Sequence, residues 1–511
     1  MFFSDLFVND IKYFYPEIFL SLTLLILLLY GVFVATSRSY NYPVITKNIY
    51  LYVLFVIFLT FVLVWNNPLE SNYFFMKTFV SNDLVTYTKL VTLGSVFFVM
   101  VIFYSYLEEY QVNNYEYLLL ILFSVFSLNL LICSNDFVSL YLAIEMQALA
   151  FYILAAFKKK SVFSTESGLK YFILGAFSSG LLLFSFSLVY GVLGTTNLTE
   201  IRYFCLDDAF VGSDLVKVAL LFLVGAFLFK VGAFPFHMWV PDVYEGAPTS
   251  TTVFFAVVPK LALVAVFLKV FNYSFFQFSE IWSLTILLSG ISSIILASFV
   301  AFKQDNLKRL LAYSGLSHSG FILLAFSTKS FTGIQVSLFY SFVYILTSFI
   351  VWGALICAMP KLVRKENKLL EKLNLPTTYE KRKGQASITI WGGLSTVNPT
   401  LALVLAIAFF SLAGIPPLVG FSAKAFVFLA ALTASNYVVA MVGVLASVVS
   451  AAYYTSVIKT IYFEKSKNWV FYEGTGKSVS LVLATSFFFV NFLFFFPTIL
   501  VLVTELMSLS A

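Results

Sequence analysis

Four ionisable side chains stand inside stretches of sequence oily enough to cross a bilayer. Lys230 lies in LFLVGAFLFKVGAFPFHMWVPDVYEGAPT, Lys260 in TTVFFAVVPKLALVAVF, Lys424 in FFSLAGIPPLVGFSAKAFVFLAAL, and Glu145 in FVSLYLAIEMQALAFYILAAF. A charged side chain at mid-membrane costs about 2.5–3.5 kcal/mol on insertion scales, so such residues face a bundle interior or an aqueous path. Burial disfavours an ammonium, and a nearby carboxylate restores it. A lysine whose carboxylate partner moves nearer or farther therefore takes up and releases a proton. Glu145, Lys230, Lys260 and Lys424 are expected to form such a proton relay. Lys170, Lys217, Lys269 and Lys459, near the ends of their spans, are expected instead to snorkel to the interface.

Two histidines lie near this set. His237 follows Lys230 by seven residues, two turns along one face if the helix is unbroken. It either extends the relay toward the basic side or is a satisfied interfacial residue. His318, in SGLSHSGF, either links two half-channels or hydrogen-bonds with neighbouring serines. Asp242 and Glu245, in PDVYEGAP, read as loop and cap residues at a mouth, and Lys308 and Arg309 as interface anchors.

The elements that position these residues follow from composition. The 511-residue chain is 60% hydrophobic and 11% charged, against roughly 25% charged in a soluble domain, which makes it a polytopic membrane protein. Fourteen apolar stretches are expected to be spans: 14–36, 47–65, 83–105, 116–134, 136–157, 168–192, 215–238, 250–271, 281–302, 309–327, 333–359, 400–432, 436–463 and 479–506. Lipid leaves a free backbone group no partner, so the fold class is all-α, a transmembrane helix bundle. Basic residues gather after odd-numbered spans: Lys158, Lys159 and Lys160, then Lys303, Lys308 and Arg309, then KLVRKENKLLEKLNLPTTYEKRKG. The N-terminus carries Asp5, Asp10 and Glu17. This bias puts the odd loops in the matrix or cytoplasm and both termini outside. The polar segment 361–399, with Leu370, Leu373 and Leu375, reads as a solvated linker joining two halves, or else a surface helix.

Spans 7 and 12 are interrupted by GAFP and GIPP, each close to a lysine. Broken segments at corresponding places in two halves point to a transport site. Aligning Lys230 with Lys424 sets an offset of 194 residues, which brings Glu145 beside Tyr340 and Lys260 onto Tyr454. Three scattered cysteines and two histidines make a metal or cluster site in this chain unexpected. No Gly-rich nucleotide motif is present, so no cofactor is expected here, and a net charge of +6 over this length gives no nucleic-acid signal. The 61 phenylalanines suit a protein inserted without import, in an organelle or a bacterium.

FKVGAFPFHMWVPDVYEGAPT with VVPKLAL, NLKRLLAYSGLSHSGF and LAGIPPLVGFSAK together resemble the proton-translocating, antiporter-like membrane subunits of NADH:ubiquinone oxidoreductase (complex I), in order from about Asn129 to Lys424. Lysine in the span-12 element is most similar to the subunit 2, or N-type, branch. The resemblance implies two inverted five-helix repeats, each with a broken helix. It divides the chain into N-terminal helices 1–114, a first repeat 115–272, a second repeat 273–465 and a C-terminal helix 466–511. It implies roles for Glu145 as the acidic residue of span 5, Lys230 as the span-7 lysine, Lys260 as the bridging lysine, Lys424 as the terminal lysine, and His318 as the span-10 histidine. NADH, FMN, iron–sulfur clusters and ubiquinone are then expected on partner subunits, with lipid and other membrane-arm subunits around this chain. The expected location is the mitochondrial inner membrane, or a bacterial inner membrane. A cation/proton antiporter or membrane hydrogenase subunit, and a structural scaffold, are the rival readings.

Overall fold

A helix satisfies its own backbone, and in this chain nearly every apolar stretch becomes one. The computed structural model describes residues 10–34, 36–37, 42–43, 47–68, 71–109, 114–159, 161–206, 214–358, 387–464 and 476–510. Helices α1 (Tyr15–Val34), α2 (Lys47–Trp65) and α3 (Asp83–Glu109) lead into α4 (Tyr115–Cys133), α5 (Phe137–Ala155) and α6 (Val162–Leu193). Then come α7 (Asp214–Val231), α8 (Trp239–Gly246), α9 (Thr249–Phe267), α10 (Ser279–Phe302), α11 (Leu307–Phe326) and α12 (Phe331–Ala358). The chain closes with α13 (Pro399–Ala413), α14 (Val419–Thr433), α15 (Tyr437–Phe463), α16 (Lys477–Phe495) and α17 (Thr498–Leu509).

Among the described residues, eleven helices are long and apolar enough to cross a membrane by themselves. The three expected spans that are not are 215–238, 309–327 and 400–432. They are the ones that hold Lys230, His318 and Lys424, so the departure from a plain apolar helix falls where the polar groups are. Span 400–432 is two half-helices, α13 and α14, and 479–506 divides into α16 and α17 at Pro497.

The two central helices are α9 and α12, whose spans are each 94% buried, whereas α1 and α16 are mostly open to the surroundings at 28% and 33%. α9 packs on α3 and α12, and α10 lies along α11 and α15. The antiparallel strands β1 (Asn72–Phe74) and β2 (Phe79–Ser81) form a hairpin whose loop carbonyls, on Lys77 and Thr78, accept from Asn135 at the α4–α5 junction, at 3.0 and 2.8 Å. Ser510 closes the start of α3 by accepting from Asn82 and Leu84, each at 2.8 Å.

Two expectations need correction. The end of the polar segment is not a solvated linker: Ile388–Trp391 forms a short 3-10 turn, and Trp391 and Leu394 are buried. Residues 359–386, with Leu370, Leu373 and Leu375, lie outside the described residues, as do Asp5 and Lys160. The repeat register of 194 is also not the one the breaks define. Gly414 follows Gly232 by 182 residues and Pro417 follows Pro235 by the same distance, each glycine with positive φ and each proline in a cis peptide.

Candidate proton-transfer site

The site is built on the two breaks. α7 ends at Val231 with Lys230 in its last turn, where orphan carbonyls leave partial negative charge that suits a cation. Gly232 then turns the chain at φ +79°, a conformation that costs an L-residue a Cβ clash. α13 ends at Ala413, and Gly414 turns the chain at φ +85°. Here the lysine comes from the other side of the break: Lys424 on α14 reaches back and donates to the Ala413 carbonyl at 2.7 Å. Both lysines thus serve the C-terminal end of the first half-helix, one from within it and one from beyond it. That difference explains why matching the lysines and matching the breaks give different offsets.

Glu145, on α5, lies within electrostatic range of Lys230, yet no ion pair closes within 4.0 Å. The carboxylate Oε1 is buried without a hydrogen-bond partner. Between Lys230 and Lys260 lies a cavity of about 60 Å³, mainly apolar, with Gln147, Tyr171, Tyr244 and Ser319 in its wall. It has room for a few waters, each needing about 10–15 Å³.

Lys260 sits in α9 directly after Pro259, which gives that helix one fewer backbone donor. Its ammonium donates to the Gly315 carbonyl of α11 at 3.1 Å and stands 4.5 Å from the centre of the Tyr344 ring. The aromatic face supports a cation where no carboxylate is at hand.

One turn farther along α11, His318 is buried between two tyrosines. Nδ1 shares a hydrogen bond with Tyr340 Oη at 2.7 Å and Nε2 one with Tyr454 Oη at 3.2 Å. Both Lys260 and Lys424 lie within its electrostatic range. A small cavity of about 10 Å³ brings His318, Tyr340, Tyr344 and Lys424 onto one wall, and Lys424 lies 5.4 Å from the Phe321 ring centre. An imidazole or a hydroxyl can accept on one side and donate on the other, which an alkyl side chain cannot do.

The structure therefore brings Glu145, Lys230, Lys260, His318 and Lys424 near one another in order along the bundle interior, joined by two cavities and the His318 hydrogen bonds. His237 falls outside this set. The helix stops at Gly232, so His237 is not two turns along the face of Lys230; it packs against Phe234, with Nδ1 unpartnered. Asp242 and Glu245 hold an ionic latch. Arg309 bonds Glu245 at 3.1 Å and approaches Asp242 at 3.5 Å, Lys170 reaches Asp242 at 2.9 Å, and Asn306 donates to Glu245 at 2.8 Å.

Sequence reading missed two features. Glu17, read as part of an acidic terminus, is fully buried and pairs with Lys89 of α3 at 2.5 Å. Lys269 does not snorkel: it is buried and donates to the carbonyls of Ile132 and Ser134. A lysine six residues into α3 with no acidic neighbour on its own helix was the available signal for the first.

A helical membrane bundle with two broken helices and lysines in its interior, half-buried at Lys230 and Lys260 and buried at Lys424, defines a transporter-like membrane protein. Residues 134–450 match the family described as NADH:quinone oxidoreductase/Mrp antiporter, TM, and the chain belongs to it. It is 39% identical over 514 residues to NADH-ubiquinone oxidoreductase chain 2 of Marchantia polymorpha, covering 99% of each. It is 38% identical over 464 residues to NADH-quinone oxidoreductase subunit N of Pelagibacter ubique, covering 90% of this chain and 91% of the relative. In fold it is similar to a chain of respiratory complex I from Thermus thermophilus, with TM-score 0.75, 23% identity, and 95% of this chain and 98% of that one covered. A chain of the Mrp complex from Dietzia has the same fold, with TM-score 0.79, 16% identity, and coverages of 98% and 97%.

Proposed function

We propose that this chain carries protons through the membrane arm of respiratory complex I along Glu145, Lys230, Lys260, His318 and Lys424. It is a multi-pass, membrane-arm subunit of an NADH:quinone oxidoreductase, as the full-length similarity to chain 2 and subunit N proteins supports. The redox chemistry belongs to partner subunits that bind NADH, flavin, iron–sulfur clusters and quinone, and this chain's share of the enzyme is proton transfer. Its place is the mitochondrial inner membrane or, as in the subunit N relatives, a bacterial inner membrane.

One observation supports the mechanism: titratable groups, half-buried at Glu145, Lys230 and Lys260 and buried at His318 and Lys424, run past both helix breaks, with His318, bonded to its two tyrosines, within electrostatic range of the bridging and terminal lysines. The open Glu145–Lys230 pair is the device that sets proton affinity. With the carboxylate near, Lys230 holds its proton; with it away, desolvation drives the proton toward Lys260 through the cavity. His318 passes it to Lys424, which exchanges it with one side. On this reading residues 115–272 and 273–465 are two repeats of inverted topology, between helices 1–114 and 466–511.

The test is Lys260→Met in the assembled complex. Protons pumped per NADH should fall while the complex still assembles. Normal proton yield from that variant would overturn the assignment. The Mrp-like fold permits cation/proton exchange, but it is shared at 16% identity and shows fold alone.

A further inference from the structure

A second buried ionisable cluster lies outside the file, at the end of the bundle that the charge bias places outside. Glu17 of α1 pairs with Lys89 of α3, and Cys133, at the end of α4, lies against the same ammonium. Lys269 is within electrostatic range of both Cys133 and Lys89. All four are buried. Glu17 Oε2 and both amide atoms of Asn129, one turn before Cys133, have no hydrogen-bond partner. The cluster holds two amines against one carboxylate.

Lys269 is set apart by its geometry. After Phe267, helix α9 widens into a π-helical turn, Leu268–Ser274. Such turns often mark functional sites. The turn directs Lys269 at the last carbonyls of α4, on Ile132 and Ser134, the negative end of that helix. Lys269 thus lies on the same helix as Lys260, nine residues on and roughly 13 Å along the axis. Every residue between them, Leu261 to Leu268, is apolar and buried. Phe267 closes the layer by packing against Phe227, Phe271 and Phe326. Asp83, at the start of α3, and Asp136, just before α5, each hold a buried oxygen without a hydrogen-bond partner.

We propose that Lys269 is a second proton-binding site, loaded from the outer side, whose charge blocks the return of protons to Lys260. The stretch of α9 between the two lysines carries no polar side chain, so along this helix they communicate by field, which low dielectric strengthens. The complex builds a potential that drives protons inward, and a file of interior lysines with no guard would short-circuit it. This inference rests on the proton file of the proposed function.

The experiment uses the intact complex in proteoliposomes, without NADH, under an imposed potassium diffusion potential, and reads the inward proton leak. Lys269→Gln keeps a donor for the two carbonyls and removes the charge; the leak should rise about tenfold, as a modest barrier loss gives. Lys269→Arg keeps the charge and should stay tight. Glu17→Gln with Lys89→Met removes the ion pair without changing net charge, and should also stay tight. A wild-type leak from Lys269→Gln, or an equal leak from the Glu17/Lys89 double variant, would overturn the proposal, the second by showing loosened packing. Adding Lys260→Met to Lys269→Gln should close the leak again. If Lys260→Met alone leaves pumping intact and the leak survives it, the file itself has failed. If Lys260→Met stops pumping but Lys269→Gln never leaks, only the guard has failed.

Discussion

Lys424 Nζ donates to the Ala413 carbonyl at 2.7 Å, joining the half-helix after the second break to the end of the half-helix before it. That oxygen is one of the four carbonyls a helix end leaves unpaired. On the proposed path the terminal lysine is both a proton carrier and the cap of a broken helix. Lys424→Met should lower protons pumped per NADH and also weaken the subunit by about 1–3 kcal/mol, the cost of a buried unpaired carbonyl. Lys424→Arg should restore the cap and leave pumping low, because guanidinium does not deprotonate. Thermal dissociation of the complex and proton yield, measured side by side, separate the two roles. An arginine variant that pumps normally would remove Lys424 from the relay.

Gly414 makes this arrangement possible. It stands at φ +85°, and a Cβ added there would lie 2.8 Å from Lys424 Cδ. Gly414→Ala should cost about 1–2 kcal/mol of backbone strain and also push Lys424 off Ala413. Gly232→Ala meets the same kind of strain at φ +79°, but its Cβ would crowd Val240 Cγ2 at 2.6 Å and not a relay lysine. Both variants should lower the dissociation temperature of the complex. Proton yield in the assembled fraction should fall more for Gly414→Ala, and equal yields would show that displacing Lys424 has no consequence.

Much of this was legible in the residues. Lys230, Lys260 and Lys424 announce themselves because each is charged in a run that is otherwise oily, and GAFP and GIPP mark the breaks. Where the sequence misleads, the cause is partners far apart in the chain. Glu17 and Lys89 are 72 residues apart, and each alone resembles a residue at a span end. Lys269 looks like a snorkelling lysine until the π-helical turn directs it inward. His237 has the spacing of a relay residue only if the helix continues, and Gly232 ends it. Tyr340 and Tyr454 came into view through an offset that the breaks do not support, although both do bond His318.

Those tyrosines define the middle of the file. Each occupies one nitrogen of His318, so either hydroxyl alone keeps the ring oriented while both are needed for a proton to enter on one side and leave on the other. Tyr340→Phe and Tyr454→Phe should each slow proton transfer, and the double variant should be little worse than the slower single one. Groups in one hydrogen-bond network couple in this way, with interaction energies of about 0.5–3 kcal/mol. Pumping rates of the two singles and the double, in assembled complexes with equal NADH oxidation, measure the coupling. Fully additive losses would mean that the tyrosines serve His318 independently.

Glu145 acts on Lys230 through space and not through contact, since the two are within electrostatic range but form no ion pair within 4.0 Å. Glu145 Oε1 has no partner to lose, so Glu145→Gln should leave assembly intact while removing the field that holds a proton on Lys230. A shift of 1.36 kcal/mol in that proton's binding is one decade in affinity. Pumping at neutral pH should therefore fall about tenfold, and lowering the pH on the matrix side should recover part of it, because a higher proton concentration offsets a weaker site. Glu145→Asp keeps the charge but draws it back by one methylene, so it should lie between the two. If Glu145→Gln pumps at the normal rate across the pH range, Lys230 is tuned by burial alone and the separation of this pair is not the switch.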